Sequence, residues 1–471
     1  MPDIAHKKLL KEIDMGRIAG PFPKPPFDPF HISPLNLREK KQKGQFRLIH
    51  NLSYPYDSSS INSNIPDSSK KVHYTSVRDA IKLLLNLPHG AYTAKTDIRD
   101  AFRIIPIRPE DHPKLGICFQ KRYYYDKCLP QGCASSCYIF ETFTTAIQNI
   151  FLSYYPHAKM LHMLDDFLIL AATSEECDHL LKKFLCLCEH IGIPMAPDKT
   201  TPPSRNTIFL GIELDTVSRA AKLPLDKILE YKSSIEHYLK KDSITKAELE
   251  TLVGKLNFAA SVVPARPFLR RLYDHIHPHQ KPFHYVRLNS DIKRDLYTWH
   301  HFLAHYNGIT YFRALDIITS DSIPMVTDAC HKGFGGYFGH EWIQCQYPSQ
   351  WSVFHITVLE LFPIYVLISM YGPKLTNSHV LLKTDNSAVR DVINSQTCKN
   401  NHVMQIIRPL VLVLISYNIR LTAQHVPGSI NTLADCISRF KVSPAMLQEH
   451  HMDPFPVPVP QYLQPTNFRI K

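Results

Sequence analysis

The stretch KMLHMLDDFLILA, residues 159–171, is apolar except for its basic first residue, one histidine and an acidic pair, Asp165 and Asp166. Two short apolar runs around a polar centre predict a strand, a tight turn and a second strand, with the pair at the turn. Upstream, YTAKTD predicts another buried strand, which ends in Asp97. Carboxylates embedded in apolar sequence carry a desolvation cost that a bound cation offsets. Because hard oxygen ligands suit Mg²⁺, these three residues are candidates for a two-metal site.

The acidic pair has a simpler interpretation, since Asp is a common turn residue and such a pair is often only a polar hairpin turn. The surrounding sequence gives the pair its context. Amphipathic patterns predict helices over residues 76–86, 135–151 and 173–190. The first has a Ser76/Asp79 capping-box pattern. The resulting order of helices and strands predicts an α+β fold, with helices on one face of a sheet.

Composition limits the class of protein. The chain has 471 residues, enough for two or three domains, and a net charge of +12. A basic balance favours a polyanionic partner, since each neutralised phosphate releases counterions; scattered surface charge is the alternative. The 11 cysteines form no CxxC pair, which argues against zinc fingers and thioredoxin chemistry and favours reduced thiols in the cytoplasm or nucleus. We expect no membrane partner, because we find neither a signal core nor an apolar run long enough to span a bilayer.

Composition also divides the chain into segments. Residues 1–39 are rich in Pro and Phe and are expected to form an extended arm. Residues 40–215 contain the predicted sheet and its helices. Residues 216–317 are basic and predicted to be mostly helical, whereas residues 318–440 return to mixed strands and helices. Residues 441–471 form a Pro-rich tail that we expect to be disordered.

A second acidic set lies within residues 318–440, where each member stands beside apolar residues at a strand end or an early helical turn. Four carboxylates can hold two Mg²⁺ ions for in-line hydrolysis of a phosphodiester. For one member there is an alternative, since Thr357 and Glu360 match a capping box in which Glu360 would only cap a helix. The set consists of Asp328, Glu360, Asp385 and Asp435.

Several motifs occur in one order between residues 96 and 214: TDIRDAF, LPQG, LDDFLIL, GIPMAPDKT and FLGIEL. Together they resemble the palm of reverse transcriptases, and FRLIHNLSYP with SINSNIP resembles the fingers. The combination of AGPFPKPPFDPFHISP, FRLIHNLSYP and KTDIRDAFRIIPI is most similar to DIRS-type retrotransposons, which carry a tyrosine recombinase. The resemblance covers roughly residues 17–440. It implies a right-hand polymerase: fingers and palm over residues 40–215, a helical thumb and connection over 216–317, and an α/β ribonuclease H-like domain over 318–440.

The resemblance implies roles for the residues of the first acidic set and their neighbours. Asp97 and Asp165 match the main metal ligands, and Asp166 matches the second acid of the pair. Phe102 matches the steric gate that excludes a ribose 2′-OH, with core packing as the alternative. Met163 stands where many retroviral enzymes have Tyr, which implies altered fidelity.

Further residues match positions that bind the nucleotide or the primer. Arg47 matches a fingers residue that grips the triphosphate, and a planar guanidinium suits phosphate oxygens. Lys199 matches a lysine that protonates the leaving pyrophosphate, with a solvated surface lysine as the alternative. The loop beneath the incoming base pair is matched by Pro130, Gln131 and Gly132, and the primer grip by Phe209, Leu210 and Gly211.

The second acidic set, with the hairpin from Gly333 to Gly339 and the segment HVPGSINTLAD, resembles the ribonuclease H fold of retroelements. His425 stands where the family often has a histidine that helps product leave; a structural histidine is the alternative. The family's protease and integrase motifs are absent from the sequence. About 30 residues follow residue 440, too few for a recombinase. We therefore expect a fragment of an element, a separate reading frame or a truncated copy.

The resemblance implies an RNA-directed DNA polymerase with ribonuclease H activity, working by two-metal-ion phosphoryl transfer. Mg²⁺ is the expected cofactor, with Mn²⁺ as a substitute. The expected partners are an RNA template, a DNA primer, the RNA–DNA hybrid and deoxynucleoside triphosphates. Two rivals stay open: a catalytically inactive or domesticated copy that only binds nucleic acid, and a pararetroviral polymerase with the same chemistry. The inactive copy predicts decay of the acidic residues, yet all seven are present.

Overall fold

In the computed structural model of this chain, the described residues are 2–39, 44–305, 317–319, 323–428 and 431–470. They form two compact units. Unit 1 consists of Met1–Leu210 and Leu214–Ser218, and unit 2 of Gly211–Glu213 and Arg219–Lys471.

Unit 1 combines helices with three sheets. Its helices are α1 (Pro2–Asp14), α2 (Val77–Leu85), α3 (Ser136–Tyr154) and α4 (Ser174–His190). Its strands are β1 (Ile18–Phe22), β2 (Leu35–Glu39), β3 (Phe46–His50), β4 (Tyr92–Asp97), β5 (Gly116–Phe119), β6 (Arg122–Asp126), β7 (Lys159–Met163), β8 (Asp166–Ala171), β9 (Thr201–Ser204) and β10 (Asn206–Phe209). The strand orders are β7-β8-β4-β9, β1-β6-β5 and β2-β3.

Residues 159–171 form two adjacent strands of the four-stranded sheet of unit 1. The predicted hairpin is confirmed as β7 and β8, and the three predicted helices as α2, α3 and α4. Phe167 of β8 contacts Phe184 of α4, with ring centroids 4.9 Å apart, and Phe184 contacts Phe151 of α3 at 5.3 Å. All three rings are fully buried. The two helices therefore cover the sheet with one aromatic core.

The N-terminal arm differs from its prediction. Residues 2–14 form α1, and β1 pairs with β6, so an extended arm is wrong for the first 14 residues. Leu9 of α1 and Ile18 of β1 share a buried core with Ile117 and Tyr124. Ala5, Leu9 and Ile13 follow each other at intervals of four, which is the helical pattern that the Pro-rich sequence downstream obscured.

Unit 2 contains a helical region followed by mixed strands and helices. The division between the units passes through β11 (Ile212–Asp215). Then follow β12 (Ala220–Lys222), α5 (Leu225–Leu239), β13 (Ser243–Thr245), α6 (Lys246–Ala259), α7 (Arg270–Ile276), β14 (Tyr285–Arg287) and α8 (Ser290–His305). The remaining elements are β15 (Ile317–Thr319), β16 (Met325–Cys330), β17 (Gly333–Phe338), β18 (Glu341–Gln346), α9 (Ile356–Tyr371), β19 (His379–Thr384), α10 (Ser387–Ser395), α11 (Asn401–Ser416), β20 (Arg420–His425), α12 (Thr432–Ser438) and α13 (Pro444–Glu449).

The second half of unit 2 is organised around α9. Strands β16, β17 and β18 form an antiparallel meander, and β19 pairs in parallel with both β15 and β20. Helix α9 packs against β16, β17 and α11. Together with the turn that follows it, α9 forms an apolar run of 20 residues, Ile356–Leu375. A run of this length and composition could cross a bilayer, so the expectation that the chain has no such run is wrong. Because 67% of that run is buried, α9 is the central helix of this half.

The Pro-rich tail is ordered, contrary to the prediction of disorder. The indole Nε1 of Trp342 donates a hydrogen bond to the Asp453 carbonyl at 2.8 Å, and the Val457 N–H donates to the Trp342 carbonyl at 2.7 Å. Further on, the ring of Phe468 lies 5.1 Å from that of Phe362 in α9. Composition alone could not anticipate these long-range contacts, which offset the entropy of ordering the tail.

We predict that the tail stabilises unit 2. Leu463 is 1% exposed, so Leu463→Ala should lower the free energy of unfolding by about 2–5 kcal/mol. The neighbouring Tyr462 is 71% exposed, and Tyr462→Ala should have little effect. Chemical denaturation of the full chain measures both. Equal effects of the two substitutions would mean that the tail does not pack as described.

Candidate functional site

The first acidic set comes together at one end of β4 and β8. These strands pair antiparallel, and Asp97 lies directly opposite Asp166. Asp165 occupies the turn between β7 and β8, where its carbonyl accepts a hydrogen bond from the Ile98 N–H at 3.1 Å. Residues directly opposite in an antiparallel pair have Cβ atoms about 4.5–5.5 Å apart. The structure therefore concentrates three carboxylates in a small volume.

These carboxylates are partly buried, and lysines lie against two of them. Burial raises the pKa of Asp97 to about 6, against the hydrogen bond from Lys199, whose Nζ lies 2.8 Å from Asp97 Oδ1. Burial also raises the pKa of Asp166, although Lys95 Nζ lies 3.2 Å from its Oδ1. That Oδ1 atom is buried and accepts no hydrogen bond of good geometry. The site thus contains more negative charge than its surroundings satisfy.

The donor set suits a hard divalent cation. It offers carboxylate oxygens alone, and burial disfavours the charged form of the Asp97 carboxyl unless positive charge is added. As placed, no group of three or more His, Cys, Asp or Glu side chains within the described ranges encloses an ion position. Carboxylates that repel one another are expected to converge fully only around a cation.

A buried carboxylate that the sequence analysis missed fixes the turn. Leu164 has a left-handed φ of +54°, and its N–H donates to Glu141 Oε2 at 2.7 Å. Glu141 belongs to α3, is 8% exposed and also lies 3.4 Å from His162 Nε2. Burial raises the pKa of Glu141, and the Leu164 N–H opposes this. In the sequence, Glu141 is a single acidic residue on the otherwise apolar face of the predicted helix, and this pattern could have indicated a buried carboxylate.

The predicted loop beneath the base pair is held rigidly. Gly132 has a φ of +128°, and a Cβ there would lie 2.0 Å from the His50 carbonyl oxygen, so only glycine fits. The His50 N–H donates to the Gln131 carbonyl at 2.9 Å. The Ser136 hydroxyl donates to the Pro130 carbonyl at 2.8 Å. The backbone of this loop is therefore fixed between β3 and the start of α3.

The two residues predicted to sense the sugar and the triphosphate lie in different surroundings. The ring of Phe102 stands edge-on to Phe140 with centroids 5.2 Å apart, and it is only partly buried. Both the steric gate and core packing stay open for this ring. Arg47 is exposed on β3 and lines the same cleft of unit 1 as Gln131 and Asp100.

The three primer-grip residues follow each other at the end of β10. Phe209 is buried, and Leu210 and Gly211 form a turn with φ values of +49° and +76°. The division between the two units passes through this turn. Their role stays a prediction.

The second acidic set lies wholly in unit 2, on four different elements. Burial raises the pKa of Glu360 to about 7, a hydrogen bond with Asn386 opposes this, and the charges of Asp385 and Asp328 add to the rise. Burial likewise raises the pKa of Asp328, and the charges of Asp435 and Asp385 contribute. The elements bring together Asp328 of β16, Glu360 of α9, Asp385 after β19 and Asp435 of α12.

The capping-box alternative for Glu360 is wrong. Helix α9 begins at Ile356, and its N-cap is His355, whose Nδ1 accepts the Thr357 N–H at 3.2 Å. Thr357 therefore lies inside the helix, where it cannot be the cap. Glu360 instead hydrogen-bonds with Asn386, next to Asp385. The carboxylate has no capping role that would account for its burial.

Basic and neutral groups surround this set. Arg439 Nε lies 2.6 Å from Asp435 Oδ1, and the Ser438 hydroxyl donates to Asp328 Oδ2 at 2.6 Å. His425 Nε2 lies 3.1 Å from the Asp385 carbonyl, so this histidine borders the set while its role stays a prediction. Within HVPGSINTLAD, residues 429 and 430 lie outside the described residues.

A comparison with protein families matches residues 39–214 to the model described as reverse transcriptase (RNA-dependent DNA polymerase). The matched span includes Asp97, Asp165 and Asp166 as well as Lys199. Members of this family generally depend on divalent metal ions.

The chain is similar to several viral proteins. An enzymatic polyprotein of Cassava vein mosaic virus is 23% identical over 75% of this chain and 53% of its own length. The Gag-Pro-Pol polyprotein of Human T-cell leukemia virus 2 is 24% identical over 52% of the chain and 16% of its own length. Protein P of Duck hepatitis B virus (strain China) is 26% identical over 36% of the chain and 22% of its own length. The chain thus spans about half or less of the relatives that it matches.

Solved structures with the same fold include foamy viral protease-reverse transcriptases. One, in complex with dsDNA, has a TM-score of 0.53 at 14% identity and covers 90% of this chain and 83% of that chain. Another, in complex with an RNA/DNA hybrid, has a TM-score of 0.52 at 15% identity and covers 88% and 52%. The likeness confirms the predicted fold class, a right-hand polymerase of mixed helices and strands.

We predict that Glu360 opposes folding at neutral pH. Its pKa is about 7 in the folded chain against an ordinary 4.5. Below pH 4.5 the carboxyl is protonated in both states and does not reduce the free energy of unfolding. As the pH rises through 7, its ionisation increasingly reduces that free energy. In EDTA, Glu360→Gln should therefore stabilise the chain increasingly between pH 5 and 8, by on the order of 1–2 kcal/mol after discounting for partial exposure.

Denaturation at several pH values measures this effect, and Glu449→Gln, at an exposed position of the same unit, is the control. Adding Mg²⁺ should stabilise the original chain more than the Glu360→Gln variant, which keeps the first acidic set but loses a carboxylate of the second. A stability difference that does not vary with pH would contradict the account.

Proposed function

We propose that this chain, which carries a reverse transcriptase domain over residues 39–214, copies RNA into DNA and cleaves the RNA strand of the resulting hybrid. One observation supports the polymerase most directly. Inside the matched domain, Asp97 lies opposite Asp166 on paired strands, and Asp165 occupies the adjoining turn. This is an arrangement of carboxylates that two divalent ions could share.

The polymerase site would hold Mg²⁺ through Asp97, Asp165 and Asp166. Bound Mg²⁺ supplies activation of the primer 3′-OH and stabilisation of the leaving phosphate oxygens. The chain's own groups account for the rest. Although burial opposes the charged form of Lys199, its hydrogen bond with Asp97 raises the lysine pKa, which keeps a proton available for the leaving pyrophosphate. The fixed backbone of residues 130–132 would support the base pair.

The ribonuclease H activity is proposed for the second acidic set. Its four carboxylates lie on β16, α9, the end of β19 and α12. Burial raises the pKa of Asp328 and Glu360, and the charges of neighbouring carboxylates add to the rise. Because Glu360 does not cap α9, metal binding is the best explanation for its burial. Two Mg²⁺ ions held there would support in-line hydrolysis of the RNA strand.

The proposed substrates are an RNA template with a DNA primer, the RNA–DNA hybrid and deoxynucleoside triphosphates. The net charge of +12 favours such polyanions, and recognition through backbone shape would make sequence preference weak. We propose a DIRS-type retrotransposon as the source, because residues 19–34, 46–55 and 95–107 together resemble that class. A pararetroviral element would use the same chemistry. An inactive copy is not favoured, since no acidic residue of either set is lost.

Two substitutions should separate the activities. Asp165→Asn should reduce primer extension on poly(rA)/oligo(dT) at least about 1000-fold, roughly 4 kcal/mol of barrier, and leave hybrid cleavage intact. Asp385→Asn should do the reverse. Asp178→Asn, a surface substitution on α4, is the control for both assays. Extension at the original rate in Asp165→Asn would remove the acidic pair from the polymerase site, and cleavage at the original rate in Asp385→Asn would remove the second set from the nuclease.

Phe102 should determine the choice of sugar. Phe102→Val should raise ribonucleotide incorporation relative to deoxynucleotide incorporation by about tenfold or more, because the smaller side chain leaves room for the 2′-OH. Phe143→Val is a matched control, since Phe143 packs on the same Phe140 ring. Competitive incorporation of UTP and dTTP measures the ratio. If both variants discriminate as well as the original chain, Phe102 is a packing residue only.

A further inference from the structure

One cleft of unit 1 combines residues predicted to bind the nucleotide with residues of α1. Its walls include Arg47 and Gln131, together with Lys8 and Lys11. Helix α1 lies outside residues 39–214, the span that matches the reverse transcriptase family. The cleft therefore contains basic groups that the family resemblance did not assign.

The acidic groups of this cleft are already paired with arginines. Arg17 Nη2 lies 2.7 Å from Asp100 Oδ2. Arg103 lies 2.9 Å from Glu12 and 2.7 Å from Asp126. Because these pairs satisfy the three carboxylates that line the cleft, its remaining cations determine what it attracts.

The remaining cations are Lys8, Lys11 and Arg47. None of the three has an ion-pair partner among the described residues, and together with the arginines they give the cleft an excess of two positive charges. Lys8 and Lys11 are one helical turn apart and so lie on the same face of α1. An unneutralised cluster of this kind favours a ligand with several closely spaced negative charges.

The basic face is fixed in place. Leu9, between the two lysines, is 1% exposed and anchors α1 in the core that it shares with Ile18. The Lys127 N–H donates to the Arg17 carbonyl at 2.8 Å, which attaches the chain after α1 to the end of β6. The other wall is fixed by the bond from the His50 N–H to the Gln131 carbonyl. A preorganised basic cleft loses little entropy when it binds a ligand.

We infer that Lys8 and Lys11 of α1, together with Arg47 of β3, bind the triphosphate of the incoming deoxynucleoside triphosphate. The inference rests on the proposed polymerase function, since Gln131 and Arg47 mark the nucleotide pocket. Ammonium groups suit a triphosphate as point charges, while the guanidinium can bind two oxygens at once. Helix α1 is then a part of the polymerase site and more than an arm beside it.

The test compares Lys8→Gln/Lys11→Gln with Lys7→Gln, which removes a charge from the same helix at an exposed position outside the cleft. We would measure binding of dTTP to a complex of protein, poly(rA) and dideoxy-terminated oligo(dT). The primer has no 3′-OH, so no nucleotide is incorporated during the measurement. We expect the double variant to weaken dTTP binding about tenfold or more and to bind the template–primer as before. Lys7→Gln should bind both as the original chain does. Inhibition of extension by inorganic pyrophosphate should weaken in the double variant as well.

The inference would be overturned by dTTP affinity in the double variant equal to that of the original chain, by an equal loss in Lys7→Gln, or by weaker template–primer binding with dTTP binding unchanged. The last result would place the lysines against nucleic acid. A change confined to pyrophosphate inhibition would also contradict it, because the lysines would then contact only the product. An original chain that extends primers while the double variant binds dTTP normally leaves the proposed function intact. If the original chain neither extends primers nor binds dTTP, both the proposed function and this inference are wrong.

Discussion

The burial of like charges at the β4–β8 pair is the constraint on which unit 1 depends. Asp97 and Asp166 are placed opposite each other by strand register, and Asp165 is held beside them by a left-handed turn at Leu164. Burial raises the pKa of Asp97 to about 6, and the charges of Asp165 and Asp166 add to the rise. The arrangement persists because α3 and α4 support the sheet from behind, Glu141 fixes the turn, and lysines supply part of the missing positive charge.

Unit 2 uses the same device with different elements. Its four carboxylates come from two strand regions and two helices, and burial with mutual repulsion raises the pKa of Glu360 to about 7. In both units the protein maintains a charge arrangement that opposes its own stability, which is expected where a site is built for a ligand that completes it. The cleft with Lys8 and Lys11 is the opposite case, a cationic surface whose three carboxylates are paired with arginines.

Local patterns in the sequence were sufficient for the hairpin, for the helices α2, α3 and α4, and for the positions of the acidic residues on strand ends. These patterns gave wrong predictions where contacts between distant parts of the chain determine the structure. The tail is ordered by Trp342 and by a ring contact of Phe468 with α9, far away in sequence. The capping box at Thr357 failed because His355 caps α9 two residues earlier. Glu141 was missed because its partner, the Leu164 N–H, is brought near it only by folding.

Primer extension shows whether unit 1 is an RNA-directed DNA polymerase whose acidic residues work with a divalent ion. The purified chain is incubated with poly(rA)/oligo(dT), dTTP and Mg²⁺, and the product length is measured beside an identical reaction in EDTA. The account predicts extension of the primer with Mg²⁺ and none in EDTA. A chain that binds this template–primer yet extends it with neither Mg²⁺ nor Mn²⁺ would contradict it.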